Sequence, residues 1–284
     1  MAKQQAGERM AVCSWSLQPG SAEELATKLK EAGVLRTQLA LDPLRNSPES
    51  WRRVPETFQR HGLSVVSGMF GCVGEDYTTL ESIRLTGGIV PDETWETNRR
   101  NIALTADLAH DLGLKLVTFH AGFVPHEPAN ESYAKLLGRL GEIADLFASK
   151  QIALGLETGQ EKAPTLALML QKLARPNLGV NFDPANMVLY DQGDPVDALG
   201  VLGPWIRQVH IKDALRTTTP GTWGREVPVG TGCVDWRAFF GRLEQIKYAG
   251  DFVIEREAGA QRVQDIRAAA ALIQRLLQPE DPAI

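Results

Sequence analysis

Short apolar stretches alternate with longer segments of helical periodicity along the whole chain. Eight stretches rich in Val, Ile and Leu are bounded by polar, Gly or Pro residues, as is typical of buried parallel strands. They are residues 10–16, 37–42, 64–70, 115–121, 152–158, 178–183, 206–213 and 251–257. Eight strands alternating with about eight helices predict an α/β protein with a single (β/α)8 TIM barrel.

The segments between the strands carry helix signals. Apolar residues recur at helical spacing in 133–148, 235–247 and 263–277. Ser21 precedes Glu24 by three residues, a capping-box pattern. Glycines stand where helices should end, at Gly33, Gly62, Gly113 and Gly250. The alternative fold, a doubly wound open sheet, often carries GxGxxG after its first strand, and CSWSLQPG does not supply it.

Composition fits one globular domain over 1–284, with 1–9 expected to be a flexible N-terminus and 278–284 a C-terminal tail. Hydrophobic residues make up 43% and charged residues 23% of the 284, which is ordinary for a protein with a full core. A net charge of −5 without a basic tract disfavours nucleic acid or an anionic membrane as partner. No apolar run is long enough to span a bilayer.

Cysteine usage and the N-terminus predict a cytoplasmic protein. MAKQQAGERM lacks the apolar region of a signal peptide. Cys13, Cys72 and Cys233 are widely spaced, which indicates free thiols in a reducing compartment. Each is more typical of a small buried residue than of a nucleophile. A homo-oligomer is possible.

Ionisable residues end five consecutive predicted strands, the fourth to the eighth. They are His120, Glu157, Asp183, His210 and Glu255. A strand buried on both faces has no favourable place for a charge. In a barrel the carboxyl ends of all strands converge, so these side chains are expected to meet at one end of it.

Strand alternation sharpens this expectation, because side chains two residues apart share a face. If the apolar neighbours pack outward, Glu157, Asp183, His210 and Glu255 point inward. Three carboxylates in one dry site require a compensating cation, and one imidazole with three carboxylates suits one divalent metal ion: Mn²⁺, Co²⁺, Mg²⁺ or Zn²⁺.

Other interpretations of these residues stay open. Asp183 by itself could form an Asx turn before Pro184. The two glutamates could be ion-paired with Lys212 or Arg256. Glu257 shares a strand face with Glu255 and competes with it for the ligand position. His120 is either a hydrogen-bond donor to substrate or a satisfied histidine at a strand end.

With these residues the chain resembles the xylose-isomerase-like barrel superfamily, and within it the sugar phosphate isomerase/epimerase group that includes ketose 3-epimerases. The residues that carry the resemblance are LETG, NFDPANMVLY, VHIKDA, VPVGTGCVDW and IERE. It implies that Glu157, Asp183, His210 and Glu255 bind one divalent metal, and that Glu157 and Glu255 are the catalytic acid/base pair.

The resemblance also bears on substrate binding. Asn186 stands where ketose 3-epimerases carry a substrate-binding histidine, and Arg216 matches the spacing of an arginine in those enzymes. His120, Lys212 and Trp223 are further candidates, the last because it lies in a glycine-rich loop that could act as a lid.

The leading hypothesis is a metal-dependent sugar or sugar-phosphate isomerase or epimerase that works through an enediolate. One alternative is a metal-dependent C–O lyase on a keto-polyol such as a keto-inositol, and another is a non-catalytic sugar-binding barrel. A DNA-repair endonuclease with three zinc ions is disfavoured, because the chain is acidic and has five histidines.

Two long connections, 71–93 and 214–234, follow the third and seventh strands and are expected to cover the catalytic end of the barrel. The second contains VGTGCV, in which Gly230 and Gly232 could offer backbone N–H groups to a phosphate, with charge from Arg216 or Arg256. The simpler interpretation is a turn into the helix that begins near Asp235.

Overall fold

Eight parallel strands close into a barrel, which confirms the predicted fold class. The computed structural model describes residues 8–124 and 131–277. Neighbouring strands pair in chain order, and the eighth closes the ring onto the first. The barrel strands are β1 (Met10–Cys13), β2 (Arg36–Ala40), β3 (Ser64–Met69), β4 (Leu116–Phe119), β5 (Ala153–Glu157), β6 (Leu178–Phe182), β7 (Ile206–Ile211) and, after two short strands, β10 (Phe252–Ile254).

Helices follow the strands around the barrel. They are α1 (Ala22–Ala32), α2 (Asp42–Asn46), α3 (Pro48–Trp51), α4 (Val54–His61), α5 (Leu80–Thr86), α6 (Asp92–Asp111), α7 (Glu131–Ser149), α8 (Ala163–Leu173), α9 (Pro184–Leu189), α10 (Pro195–Leu202), α11 (Trp236–Gln245) and α12 (Arg262–Leu276). The three segments with helical periodicity coincide with α7, α11 and α12, so apolar spacing predicts these helices correctly.

Polar and glycine residues fix helix ends at several of the predicted positions. Ser21 Oγ accepts a hydrogen bond from the backbone N–H of Glu24 and begins α1. Gly33 and Gly62 end α1 and α4 with φ of 73° and 66°, a conformation that a Cβ atom disfavours. The prediction for Gly250 is wrong, because α11 ends earlier and Gly250 lies just before β10.

Strand alternation separates an apolar outer layer from a polar interior. Leu154, Phe182 and Ile211 are buried in the large hydrophobic core. Gln38 and His210 come from β2 and β7, which are not neighbours, yet their side chains are hydrogen-bonded to each other. Such a contact is possible only across the interior of the barrel, so the inward face predicted for His210 is observed.

The two long connections lie at the carboxyl ends of the strands, as predicted. The one after β3 contains α5. The one after β7 contains an antiparallel ribbon of β8 (Asp213–Leu215) and β9 (Arg225–Val227), which the sequence pattern did not predict. Tyr77 from the first connection and Trp223 from the second line the same cavity.

The predicted flexible N-terminus and C-terminal tail lie mostly outside the described residues. The last residue of the N-terminal segment, Arg9, is anchored rather than free: its Nε donates to the Gly250 carbonyl at 2.8 Å and its guanidinium lies 4.6 Å from the centre of the Phe252 ring. In the described part of the chain, no helix has the length and apolar character needed to cross a membrane. The cytoplasmic location and the homo-oligomer stay predictions.

Candidate active site

Four ionisable residues from four strands meet at the carboxyl end of the barrel. Glu157 ends β5, His210 lies near the end of β7, and Asp183 and Glu255 directly follow β6 and β10. One ligand atom from each lies within 4.8 Å of those of the others. All four residues are buried, and Glu157, the most exposed as a whole residue, is only 5% accessible. We call these four residues the carboxylate–histidine group.

The Nδ1 atom of His210 is central to this group. It lies 3.5 Å from Glu157 Oε1, 3.7 Å from Asp183 Oδ2 and 3.5 Å from Glu255 Oε2. These distances exceed those of strong hydrogen bonds, and among the described residues His210 Nδ1 and Asp183 Oδ2 have no hydrogen-bond partner. A buried polar atom without a partner costs about 1–3 kcal/mol. A divalent cation would satisfy these atoms, so the donor set fits one.

A hydrogen-bond network fixes the ring of His210. Gln38 Nε2 donates to Thr118 Oγ1 at 2.8 Å, which turns Gln38 Oε1 toward His210 Nε2 at 2.7 Å. With Nε2 as the donor, Nδ1 is the nitrogen that faces the three carboxylates; it carries a proton in the absence of metal, and a bound cation would replace that proton. A histidine whose second nitrogen donates to a fixed acceptor is the usual arrangement for a metal ligand. The buried Cys13 thiol lies 3.6 Å from the same Gln38 oxygen, and burial raises its pKa, so it stays protonated.

The two oxygens of Asp183 have different roles. Oδ1 accepts a hydrogen bond from the backbone N–H of Asn186 at 2.9 Å and caps α9. Asp183 is therefore a helix cap rather than the predicted Asx turn, which would bond the N–H two residues on. Oδ2 is left to face His210. Burial raises the pKa of Asp183 to about 6, although the charge of Lys212 opposes the shift.

Glu157 is oriented by two amides. Asn186 Nδ2 donates to its Oε1 at 2.9 Å and Asn181 Nδ2 to its Oε2 at 3.2 Å. Burial acts to raise the pKa of Glu157, but the positive charges of His120 and His210 outweigh it, and the net effect lowers the pKa. His120 Nε2 lies 3.6 Å from Glu157 Oε1, and its Nδ1 has no hydrogen-bond partner among the described residues.

Glu255 is held by an indole and an ammonium group. Trp15 Nε1 donates to its Oε1 at 2.6 Å, and Lys212 Nζ lies 2.9 Å from its Oε2. Burial acts to raise the pKa of Glu255, but Lys212 and His210 lower it well below its usual range. Lys212 also pairs with Glu257 at 2.7 Å, and that side chain is 52% exposed. Glu255 therefore belongs to the carboxylate–histidine group, and Glu257 stands outside it.

A cavity of about 500 Å³ adjoins the group and includes Glu157 and Glu255 in its wall. Four of the five predicted substrate-binding residues line it: His120, Asn186, Lys212 and Trp223. Arg216 is not among the lining residues. Its guanidinium lies 3.2 Å from the exposed Asp191 carboxylate and donates to the Gly193 carbonyl. The structure does not support Arg216 as a substrate-binding residue, because its charge is engaged away from the cavity.

Aromatic rings form part of the cavity wall. Trp223 packs edge-on against Tyr190 with ring centres 4.8 Å apart, and among the described residues its buried indole Nε1 has no hydrogen-bond partner. Phe70 lines the cavity but also stacks on Phe119 in the core. Phe70 therefore belongs both to the cavity wall and to the hydrophobic core.

Sequence reasoning missed several lining residues: Glu75, Tyr77, Tyr190 and Glu226. Glu75 and Tyr77 lie in the connection after β3, and Glu226 lies in β9. The position of both connections was predictable, but the direction of their side chains depends on loop conformations that carry no periodic signal. Burial raises the pKa of Glu75.

Among the described residues, a second set of possible ligands comprises Cys13, His210 and Glu255. It shares two members with the carboxylate–histidine group, so both sets describe one centre.

A family model for the xylose isomerase-like TIM barrel matches residues 15–276. The chain belongs to this family. The family predicted from the sequence is thus confirmed.

Two solved structures superpose well on this chain. A xylose isomerase domain protein from Planctomyces limnophilus is 32% identical, with 88% of this chain and 91% of that chain covered and a TM-score of 0.83. An L-ribulose 3-epimerase shares the fold at 18% identity, with 95% and 94% of the chains covered and a TM-score of 0.73.

Among curated proteins, the putative L-ribulose-5-phosphate 3-epimerase SgbU of Escherichia coli K12 is 29% identical over 173 residues. The match covers 58% of this chain and 59% of that relative, which is less than two thirds of its length.

Proposed function

We propose that the protein is a divalent-metal-dependent isomerase that epimerises or isomerises a sugar with a ketone group. The observation that carries the proposal is the placement of Glu157 and Glu255, each 3.5 Å from His210 Nδ1 and both in the cavity wall. The curated relatives whose names state an activity are L-ribulose-5-phosphate 3-epimerases, and this agrees with the proposal.

Glu157, Asp183, His210 and Glu255 would hold one Mn²⁺, Co²⁺, Mg²⁺ or Zn²⁺ ion. Three carboxylates and one imidazole suit hard to borderline divalent ions. Bound there, the ion supplies positive charge that makes the C–H beside a carbonyl more acidic and stabilises the resulting enolate.

Glu157 and Glu255 would transfer the proton. One carboxylate removes a proton from the carbon beside the ketone, and the other returns a proton to the opposite face, which inverts that carbon. Their strands, β5 and β10, stand three positions apart in the ring, so the two carboxylates reach the substrate from different directions. If one carboxylate moves the proton to the neighbouring carbon on the same face, the reaction is aldose–ketose isomerisation.

Neighbouring side chains orient the two bases. Asn186 fixes Glu157 through its Nδ2, and its Oδ1 lies 3.4 Å from Lys212 Nζ. Lys212 in turn holds Glu255. An asparagine at position 186 therefore links the two carboxylates through Lys212, because its amide donates with Nδ2 and accepts with Oδ1.

The test is proton exchange in D₂O. Protein loaded with Mn²⁺ is incubated with ketopentoses and ketohexoses, and NMR follows deuterium entering the carbon beside the ketone. Glu157→Gln and Glu255→Gln should each slow exchange at least about 100-fold, whereas Glu244→Gln, an exposed change on α11, should not. Exchange that persists in both site variants would refute the proposal. Loss of a water mass from the sugar would instead indicate the lyase.

A further inference from the structure

We infer that the substrate of this site is an uncharged ketose or keto-polyol and carries no phosphate. The inference rests on the proposed function and narrows its substrate class. The sequence left this question open, and the relatives include proteins named for a phosphorylated and for a free sugar. The evidence is the charge of the cavity and the occupancy of the two places where a phosphate would bind.

Carboxylates outnumber positive groups around the cavity. Asp42 and Glu226 also line it, but each is paired with an arginine at 2.7 Å. The carboxylates that remain face a single ammonium, that of Lys212, which already contacts three of them: Asp183, Glu255 and Glu257. The other two are Glu75 and Glu157 in the cavity wall. Even with one divalent ion bound, negative charge predominates, and it would repel a phosphate dianion.

The backbone amides after β7 are occupied by the protein's own carboxylate. The loops after the seventh and eighth strands are the usual phosphate site of TIM barrels. Here Asp213 Oδ2 accepts hydrogen bonds from Gly230 N at 2.9 Å and Gly232 N at 3.1 Å, and Oδ1 accepts one from Val234 N at 3.2 Å. Trp236 Nε1 adds a bond at 3.0 Å. We call these donors the Asp213 cradle, and its anion is Asp213 itself.

The amides after β10 are occupied in the same way. Glu226 Oε1 accepts a hydrogen bond from Glu257 N at 3.0 Å, and Oε2 accepts one from Ala258 N at 3.1 Å. Arg256 Nη1 lies 2.7 Å from Glu226 Oε1, and its Nε lies 2.8 Å from Asp265. The arginine proposed from the sequence as a phosphate partner thus holds Glu226. We call this set of donors the Glu226 cradle.

The cavity groups that remain available to a ligand are ones that form hydrogen bonds with hydroxyl groups. Carboxylates accept hydrogen bonds from sugar hydroxyl groups, and the indole Nε1 of Trp223 is a buried donor without a partner among the described residues. Trp15 and Trp223 also line the cavity, and aromatic rings commonly pack against the C–H surface of a sugar. The cavity therefore matches a polyhydroxyl compound of no net charge.

The test compares matched pairs: L-ribulose with L-ribulose 5-phosphate, and D-fructose with D-fructose 6-phosphate. NMR in D₂O gives exchange rates with the Mn²⁺-loaded protein, and calorimetry gives affinities independently of turnover. The free sugars should bind and exchange at least about tenfold better than their phosphates. Glu257→Gln should narrow this ratio several-fold, and the exposed Glu244→Gln should leave it unchanged.

The outcomes separate the inference from the proposed function. Equal or faster exchange of the phosphates overturns the inference and upholds the isomerase. If neither form exchanges, the proposed function fails, and calorimetry still decides: tighter binding of the free sugars supports the inference, whereas equal or tighter binding of the phosphates, or no binding of either, overturns it.

Discussion

Replacement of Gln38 by Leu tests whether the interior network prepares His210 to bind a metal. Gln38 comes from β2, three positions from β7 in the ring, and has no hydrogen bond to a carboxylate of the carboxylate–histidine group among the described residues. In that part of the chain its link to the group is the 2.7 Å hydrogen bond with His210 Nε2. Leu keeps most of the volume and removes the acceptor, so the imidazole N–H becomes a buried donor without a partner.

The magnitude follows from that single bond. A buried donor without a partner costs about 1–3 kcal/mol, and loss of the partner behind a ligating histidine lowers metal affinity about 10- to 100-fold. We therefore expect Gln38→Leu to bind Mn²⁺ about 10- to 100-fold more weakly. Thr118→Val should show a smaller decrease, because it frees the Gln38 amide to rotate without removing it.

Calorimetric titration with Mn²⁺ measures the affinity, and urea unfolding of the metal-free protein measures stability. Ser67→Ala is the matched control, since Ser67 is equally buried and its hydroxyl donates to Gln208 rather than to His210. If Gln38→Leu loses stability as Ser67→Ala does but keeps its Mn²⁺ affinity, the orientation of His210 does not depend on Gln38 and the reasoning is refuted.

Three further predictions concern other positions. Burial raises the pKa of Glu161 from 4.5 to about 8, so the folded protein keeps a proton that the unfolded chain releases, and stability should fall as the pH rises through this window. In urea unfolding, Glu161→Gln should remove that fall, which is at most about 5 kcal/mol. Arg216→Ala should leave kcat/KM for free ketoses within about twofold, because an exposed pair contributes little; a tenfold loss would restore Arg216 as a substrate residue. Asp213→Ala should lower the free energy of unfolding by about 3 kcal/mol, and formate should recover part of it by filling the emptied Asp213 cradle, as a melting curve against formate concentration would show.

The barrel and the carboxylate–histidine group were predictable because both follow from period-two alternation. Leu154 and Leu156 pack outward, and the residue that continues the alternate face is Glu157. The same count places His210 inward on β7. No knowledge of loops is needed, since strand ends of a closed parallel barrel must converge.

The rest of the cavity depends on contacts that sequence spacing does not encode. Gly230 and Gly232 were correctly identified as amides able to bind an anion, but the anion is Asp213, 17 and 19 residues away. Arg256 was correctly identified as a candidate anion partner, but its partners are Glu226 and Asp265. In each case the sequence indicates a group that binds an anion, and in the fold that anion is a carboxylate of the same chain.

The ribbon explains why two anion sites are filled at once. Asp213 begins β8, and Glu226 lies in β9 opposite Ala214, so the two carboxylates sit on paired strands in adjacent positions. Asp213 fastens the ribbon to the loop before α11, and Glu226 fastens it to the loop after β10. The turn that joins these strands carries Trp223 to the cavity. The hydrogen bonds of Asp213 and Glu226 occupy the two places where a phosphate would bind, and they also hold the ribbon that places Trp223 in the cavity wall. A phosphate that displaced either carboxylate would therefore detach this ribbon from the barrel.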